Sequence, residues 1–231
     1  MKSTFSSLKN TLLTLFVVLH SFVLSGQDNK GNPLPHFLFP SFKEGIVIMK
    51  DGKIFNTLLN YHMVDERMIT ELDGIYRYSK DPQHIDTIYL ENRAFVPVEN
   101  AFYEILSGGP VTFFLQNRSN YTPKGTDVGY GAKSRSVGPT QYKRFELVNM
   151  QLGELGEVVN IDLPSNVEIT PSSAFWVRKN DKFEKFSNEK QFLKIFPEYE
   201  PELKAFLKKE RINIRSREDM IRLGNYCNEI F

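Results

Sequence analysis

From Glu44 onward the chain is broken into short apolar stretches at roughly 8- to 12-residue spacing, with turn-forming residues in nearly every gap. Punctuation this dense leaves no room for the crossover helices that a parallel sheet requires, so the body is expected to be antiparallel β. Asp51-Gly52 lies between Gly45–Met49 and Ile54–Tyr61, and an Asp-Gly pair accepts the positive φ angles of a type I′ turn, which predicts a hairpin. Asp73-Gly74 predicts a second, joining Met68–Leu72 to Ile75–Tyr78. Glu91-Asn92-Arg93 connects Ile85–Leu90 to Ala94–Val98, and Ser107-Gly108-Gly109-Pro110 connects Ala101–Leu106 to Val111–Gln116. Val111, Phe113 and Leu115 alternate onto one face, expected to be the core face. Pro97 cannot donate to a ladder, so it is expected at an edge or at its strand's exit.

Residues 117–142 interrupt this rhythm with four glycines, two prolines and few aliphatic side chains, and read as a long loop. Strands resume at Arg144–Met150, Glu157–Ile161, Val167–Thr170, Ala174–Arg178 and Lys182–Phe186, the last two joined by Asn180-Asp181. The period then changes from two to that of a helix. Ser187 is placed to cap a helix running to Phe196, and Pro201 suits the first turn of a second. Ser216 with Asp219 opens a third, whose stripe is Met220, Leu223, Cys227 and Ile230. The expected fold class is mainly β (α+β). Residues 43–186 form an antiparallel meander, barrel-like or sandwich-like, and a helical segment, 187–231, packs on it.

Ahead of this body, residues 27–42 carry three prolines and little periodicity, and read as an extended lead-in or linker. Residues 1–26 have the three-part layout of a secretory signal peptide: Lys2 and Lys9, the apolar run Thr11–Leu24, then the small residues Ser25 and Gly26. The run is about 14 residues, short of the roughly 20 that span a bilayer as a helix, which favours cleavage near Gly26-Gln27 over a permanent anchor. The expected address is periplasmic or secreted. No later stretch is apolar and long enough to cross a membrane as a helix. The single cysteine, Cys227, has no intramolecular disulfide partner, and its place on an apolar stripe marks it as a core residue rather than a reactive thiol.

Charge narrows the choice of partners. The full chain carries +1, and loss of Lys2 and Lys9 with the leader brings it close to neutral, so no global field points to nucleic acid or anionic membrane. The basic residues of the terminal helices are matched by acids: residues 178–231 hold 13 basic and 10 acidic side chains, a solvated face rather than a DNA reader.

No catalytic pattern stands out in the chain. Gly125, Gly129, Gly131, Lys133 and Ser134 resemble a phosphate cradle at first sight, but Ala132 precedes the lysine and no helix follows, so the P-loop reading fails. There is no Gly-x-Ser-x-Gly elbow. His36, His62 and His84 lie in different segments and supply no set of three or four metal ligands, so no metal and no cofactor are expected. Phe dominates the aromatic content, which favours core packing, although Trp176 with tyrosines on its face makes a small stacking platform conceivable.

What remains is the basic segment within 117–142. Long loops on rigid β scaffolds often hold binding sites, and Lys124, Tyr130, Lys133 and Arg135 are its candidate ligand- or partner-binding residues. A solvated insertion with no role is the plainer alternative.

Several stretches together resemble uncharacterised exported proteins of the Bacteroidota. They are Leu24-Ser25-Gly26-Gln27, Gly45 to Gly52 (GIVIMKDG) leading to Leu59-Asn60-Tyr61, and Phe192 to Pro197 (FLKIFP). Arg217 to Ile221 (REDMI) and Asn225-Tyr226 complete the set. The resemblance implies an envelope or secreted location and no established activity. The leading expectation is thus a non-enzymatic exported β protein that binds an envelope partner or an extracellular ligand. The alternative is a secreted or periplasmic hydrolase with a site assembled from scattered residues.

Overall fold

Turn chemistry sets the first half of the fold. The computed structural model describes residues 34–78, 82–123, 126–127, 133–134, 157–158, 161–162 and 167–231. β1 (Lys43–Met49) pairs with β2 (Ile54–His62), and β3 (Arg67–Leu72) with β4 (Ile75–Tyr78). Asp73 and Gly74 both take positive φ, 54° and 74°, as a type I′ turn demands. The Asp51-Gly52 turn departs from that expectation. Of its residues only Gly52 has positive φ (85°), and its N–H donates to the Met49 carbonyl at 2.9 Å. The connection is one residue longer than a two-residue loop, so a type I turn followed by a left-handed glycine closes it.

β5 (Ile85–Leu90), β6 (Arg93–Val98), β7 (Ala101–Ser107) and β8 (Val111–Gln116) form a second meander. Pairing of β6 with β5 stops at Phe95, so Pro97 is laddered on the β7 side only, which a residue without an N–H tolerates. The segment 117–142 does not begin as a loop. β9 (Ser119–Pro123) pairs with β13 (Val167–Pro171), and β10 (Thr126–Asp127) with β11 (Lys133–Ser134), because Asn120, Tyr121 and Thr122 find ladder partners that lie far along the chain. β12 (Glu157–Val158) pairs with β4, and β14 (Ala174–Lys179) with both β8 and β15 (Lys182–Phe186). Asn180 and Asp181, at φ 50° and 61°, turn the last hairpin. The expected strand at Arg144–Met150 lies outside the described residues.

The main sheet has 11 strands in the order β12-β4-β3-β2-β1-β5-β6-β7-β8-β14-β15. Two four-stranded meanders therefore meet back to back, because β5 pairs with β1 rather than with β4. The sheet is open, ending at β12 and β15, so the expected barrel alternative does not form among the described residues. It does curl. The Phe102 N–H donates to the Glu66 carbonyl at 2.9 Å, and the Tyr61 hydroxyl to the Phe102 carbonyl at 2.8 Å, which ties the β2–β3 end to β7 without a ladder.

Register explains the core. Val47, Ile88, Phe95, Glu104, Leu115, Phe175 and Phe186 are successive cross-strand partners and so face one way. On the β1–β7 side this face packs with Leu59, Tyr61, Met68 and Leu90. On the β7–β15 side it is covered by α1 (Glu189–Ile195), α2 (Glu200–Lys209) and α3 (Arg217–Ile230), whose Phe192, Leu203, Leu207, Met220 and Leu223 are buried there. Asn188, not Ser187, caps α1: its Oδ1 accepts from the Gln191 N–H at 2.9 Å, while Ser187 Oγ donates to the Gln191 side chain from one residue outside. Ser216 caps α3 through the Asp219 N–H, and Pro201 sits in the first turn of α2. Cys227 is fully buried, and burial pushes its thiol up to about 12, which fits a core residue. No helix among the described residues is long and apolar enough to cross a membrane.

The proline-rich lead-in is built into the body from Leu34 onward. Phe37 and Phe39 are buried, the Leu38 N–H donates to the Tyr61 carbonyl at 3.0 Å, and the Asn60 side chain holds both backbone groups of Phe39. The aromatic side chains anchor a segment that its prolines alone would leave extended.

Candidate functional site

One residue out of phase with the core row runs a second row, on the side of the sheet away from the helices. Asn56, Ile46, Tyr89, Ala94, Ile105, Phe114, Trp176 and Lys185 are successive cross-strand partners from β2 to β15. Their side chains share a face because the strand period is two. β1 carries Ile46 and Ile48 on this face as well as Val47 on the other, so it is apolar on both sides. Ile46 is 42% exposed, Tyr89 46% and the neighbouring Ile54 62%, with Leu58 also exposed. Apolar side chains scattered singly over a surface mean little; a contiguous group on adjacent strands marks an interaction surface.

Toward β14 the face becomes aromatic and cationic. Tyr103 and Trp176 lie 5.9 Å apart between ring centroids, at 36°, which is the platform that the sequence allowed. The Trp176 indole N–H donates to Gln116 Oε1 at 2.9 Å. Arg178 lies over the rings of Phe114 and Phe183, and Lys185 over Trp176 at 5.8 Å. Phe114 is thereby covered, so the most accessible apolar surface lies over β2, β1 and β5.

Of the residues singled out in the basic segment, Lys124, Tyr130 and Arg135 lie outside the described residues. Lys133 is in β11, opposite Asp127 on β10.

Sequence reasoning missed Glu104. It is fully buried in the middle of the core row, where the two halves of the core meet. Arg217, the first residue of α3, clamps Oε1 with Nε at 2.7 Å and Nη2 at 2.5 Å; Asn117 and Arg93 approach Oε2 at 3.0 and 3.4 Å. A bidentate Arg fork with a further amide donor is what a buried carboxylate requires. The signal was present: Glu104 stands two residues after Phe102, at an inward position of its strand. Arg217 holds the helical segment to the sheet through this carboxylate, while Asn117 and Arg93 tie it to the sheet itself.

His62 offers the arrangement closest to a catalytic pair. Its Nδ1 is 3.1 Å from Asp65 Oδ2, and the Tyr78 hydroxyl donates to the same carboxylate. The His62 ring is walled in by Phe37 at 5.2 Å and by His36 at 4.9 Å. His36 Nε2 donates to the Ile161 carbonyl at 2.8 Å, and burial, helped by His62, pushes its pKa down to about 4. Packed this way, the group fastens the lead-in to β2. No group of three or more metal-ligating side chains converges among the described residues.

Comparison with protein-family models, with curated proteins and with solved structures gave no match. The functional reading therefore stands on the residues of this chain.

Proposed function

We infer that the chain is an exported, non-enzymatic β protein that acts by binding an envelope partner or an extracellular ligand through the outer face of its sheet. The observation that carries this reading is the exposed apolar group Ile46, Ile54, Leu58 and Tyr89 on adjacent strands, opposite the face that carries the core and the helices. Export is supported by Lys2, Lys9 and the apolar run Thr11–Leu24, and by the resemblance to exported Bacteroidota proteins. The basic segment with Lys124, Tyr130, Lys133 and Arg135 supplies a charged accessory contact in the same reading.

The test is the double variant Ile46→Glu/Tyr89→Glu, assayed for association with the native envelope fraction. Retention is expected to fall at least about tenfold, the size of a lost central contact, while the melting temperature stays within a few degrees. Unchanged retention would refute the assignment. N-terminal sequencing of the exported product, expected to begin at Gln27, checks the leader.

The hydrolase alternative rests on the His62–Asp65 pair. A ring enclosed by Phe37 and His36 cannot reach a substrate, so the binding reading is preferred.

A further inference from the structure

On the helix-bearing side of the sheet, where β14 begins and β15 ends, a groove of about 770 Å³ opens against the α2–α3 connection. Its volume is that of a small-molecule site. The base is apolar: Leu115, Phe175, Phe186 and Ile214. The walls carry Ser172, Ser173, Ser187 and Asn188, together with Arg215 and Arg217; Lys185 borders the groove, but its ammonium lies over Trp176 on the other face. Among the described residues, no aspartate or glutamate lines it. In a chain whose charges are balanced overall, a concave surface lined by two arginines and, among the described residues, by no acid is a local departure.

The cations differ in what already holds them. Arg217 is committed to Glu104. Arg215 has no ion pair among the described residues; only its backbone N–H is engaged, by Asn213 Oδ1 at 3.0 Å. Asn188 gives its side-chain oxygen to the α1 cap, which leaves its amide NH₂ as a donor. Ser172 and Ser173 Oγ accept from Arg118, which fixes that wall in place. A guanidinium fork and an amide donor beside an apolar base match one kind of ligand: an anionic head group on a hydrophobic body.

We propose that this groove binds a small amphipathic anion, a carboxylate or phosphate carried on an aliphatic chain, with Arg215 holding the head group and Phe175 and Ile214 receiving the chain. The groove lies on the opposite side of the sheet from Ile46 and Tyr89, so its test stands apart from that of the outer face.

Calorimetric titration of the purified protein with decanoate, decyl phosphate, decanol and decyltrimethylammonium reads head-group selectivity directly. Saturable binding of decanoate or decyl phosphate is expected, at least about tenfold tighter than decanol, with the cationic probe excluded. Whichever anion binds tighter identifies the head group. Arg215→Glu, at an exposed position outside any helix or strand, is expected to weaken the anions at least about tenfold and leave decanol unchanged; the control Lys204→Glu changes neither. Decanol binding as tightly as the anions, an unaffected Arg215→Glu protein, or no saturable binding by any probe up to about 1 mM would each overturn the proposal.

Discussion

Gly224 lies on the face of α3 that meets β7 and β8, and replacing it with alanine tests whether the helical segment is as tightly seated as the packing requires. A methyl group there would overlap the Ser107 hydroxyl outright and would stand 3.0 Å from Ser107 Cβ and 3.1 Å from Phe113 Cδ2. Alanine is the better helix former by about 1 kcal/mol, so a loosely held helix would gain stability from Gly224→Ala. Overpacking costs typically about 1–3 kcal/mol, and an overlap against a buried strand belongs at the upper end or beyond. The net expectation is a loss of about 2 kcal/mol. For a body of this size that is a drop in melting temperature of roughly 4–8 °C. Ser107 supplies the control. Its Oγ is buried and has no hydrogen-bond partner among the described residues, so Ser107→Ala alone is expected to be neutral or mildly stabilising. With the hydroxyl gone, the remaining contacts call for shifts of only a few tenths of an ångström. Gly224→Ala should then cost at least about 1 kcal/mol less than it does in the parent protein. Urea denaturation followed by the fluorescence of the single tryptophan, Trp176, with helix content tracked by circular dichroism, measures all four corners of the cycle. A more stable Gly224→Ala protein, or additive effects in the double variant, would refute the close seating of α3 on β7.

Two other perturbations bear on the same body. Glu104→Ala strands the Arg217 guanidinium against the core and is expected to cost about 3–5 kcal/mol, read as a lower urea midpoint; a loss below about 1 kcal/mol would mean that the buried pair does not hold the helices to the sheet. His36 gives a pH dependence with a defined sign. Burial and then His62 push its pKa down to about 4, against weaker opposing pulls from the Ile161 carbonyl, Asp65 and Asp162, whereas the unfolded chain titrates near 6.5. Between those values the unfolded state takes up a proton that the folded state refuses. Stability therefore falls as pH drops from about 6.5 to 4, by at most about 1.4 kcal/mol per pH unit from this group. Subtracting the profile of His36→Gln from that of the parent should isolate the slope, and a flat difference curve would contradict the assignment.

What could be read in the sequence was local, and what could not was long-range. Asp73-Gly74 and Asn180-Asp181 disclose their hairpins because the φ angles they accept are set by the residues themselves. Asn188 took the cap from Ser187 because both residue types serve, and only the exact turn at which the helix starts separates them. The pairing of β1 with β5, the ladder between β9 and β13, and the clamp of Arg217 on Glu104 all join residues far apart along the chain, for which periodicity carries no information. The packing of the lead-in is illegible for a different reason. Its prolines describe the backbone, while Phe37 and Phe39 decide where it goes. The outer face is not among the features read from the sequence, although Ile46, Val47 and Ile48 put apolar groups on both sides of one strand. Its extension to Trp176 required the register of every ladder between them.

The central claim, that the uncovered face of the sheet is the working surface, is tested most directly by a photo-reactive amino acid placed at position 89 of the protein in its native cells, with position 204 on α2 as the exposed control. A discrete adduct of higher mass at 89 and none at 204 is the predicted outcome. Equal yields at the two positions, or no adduct at 89, would contradict it.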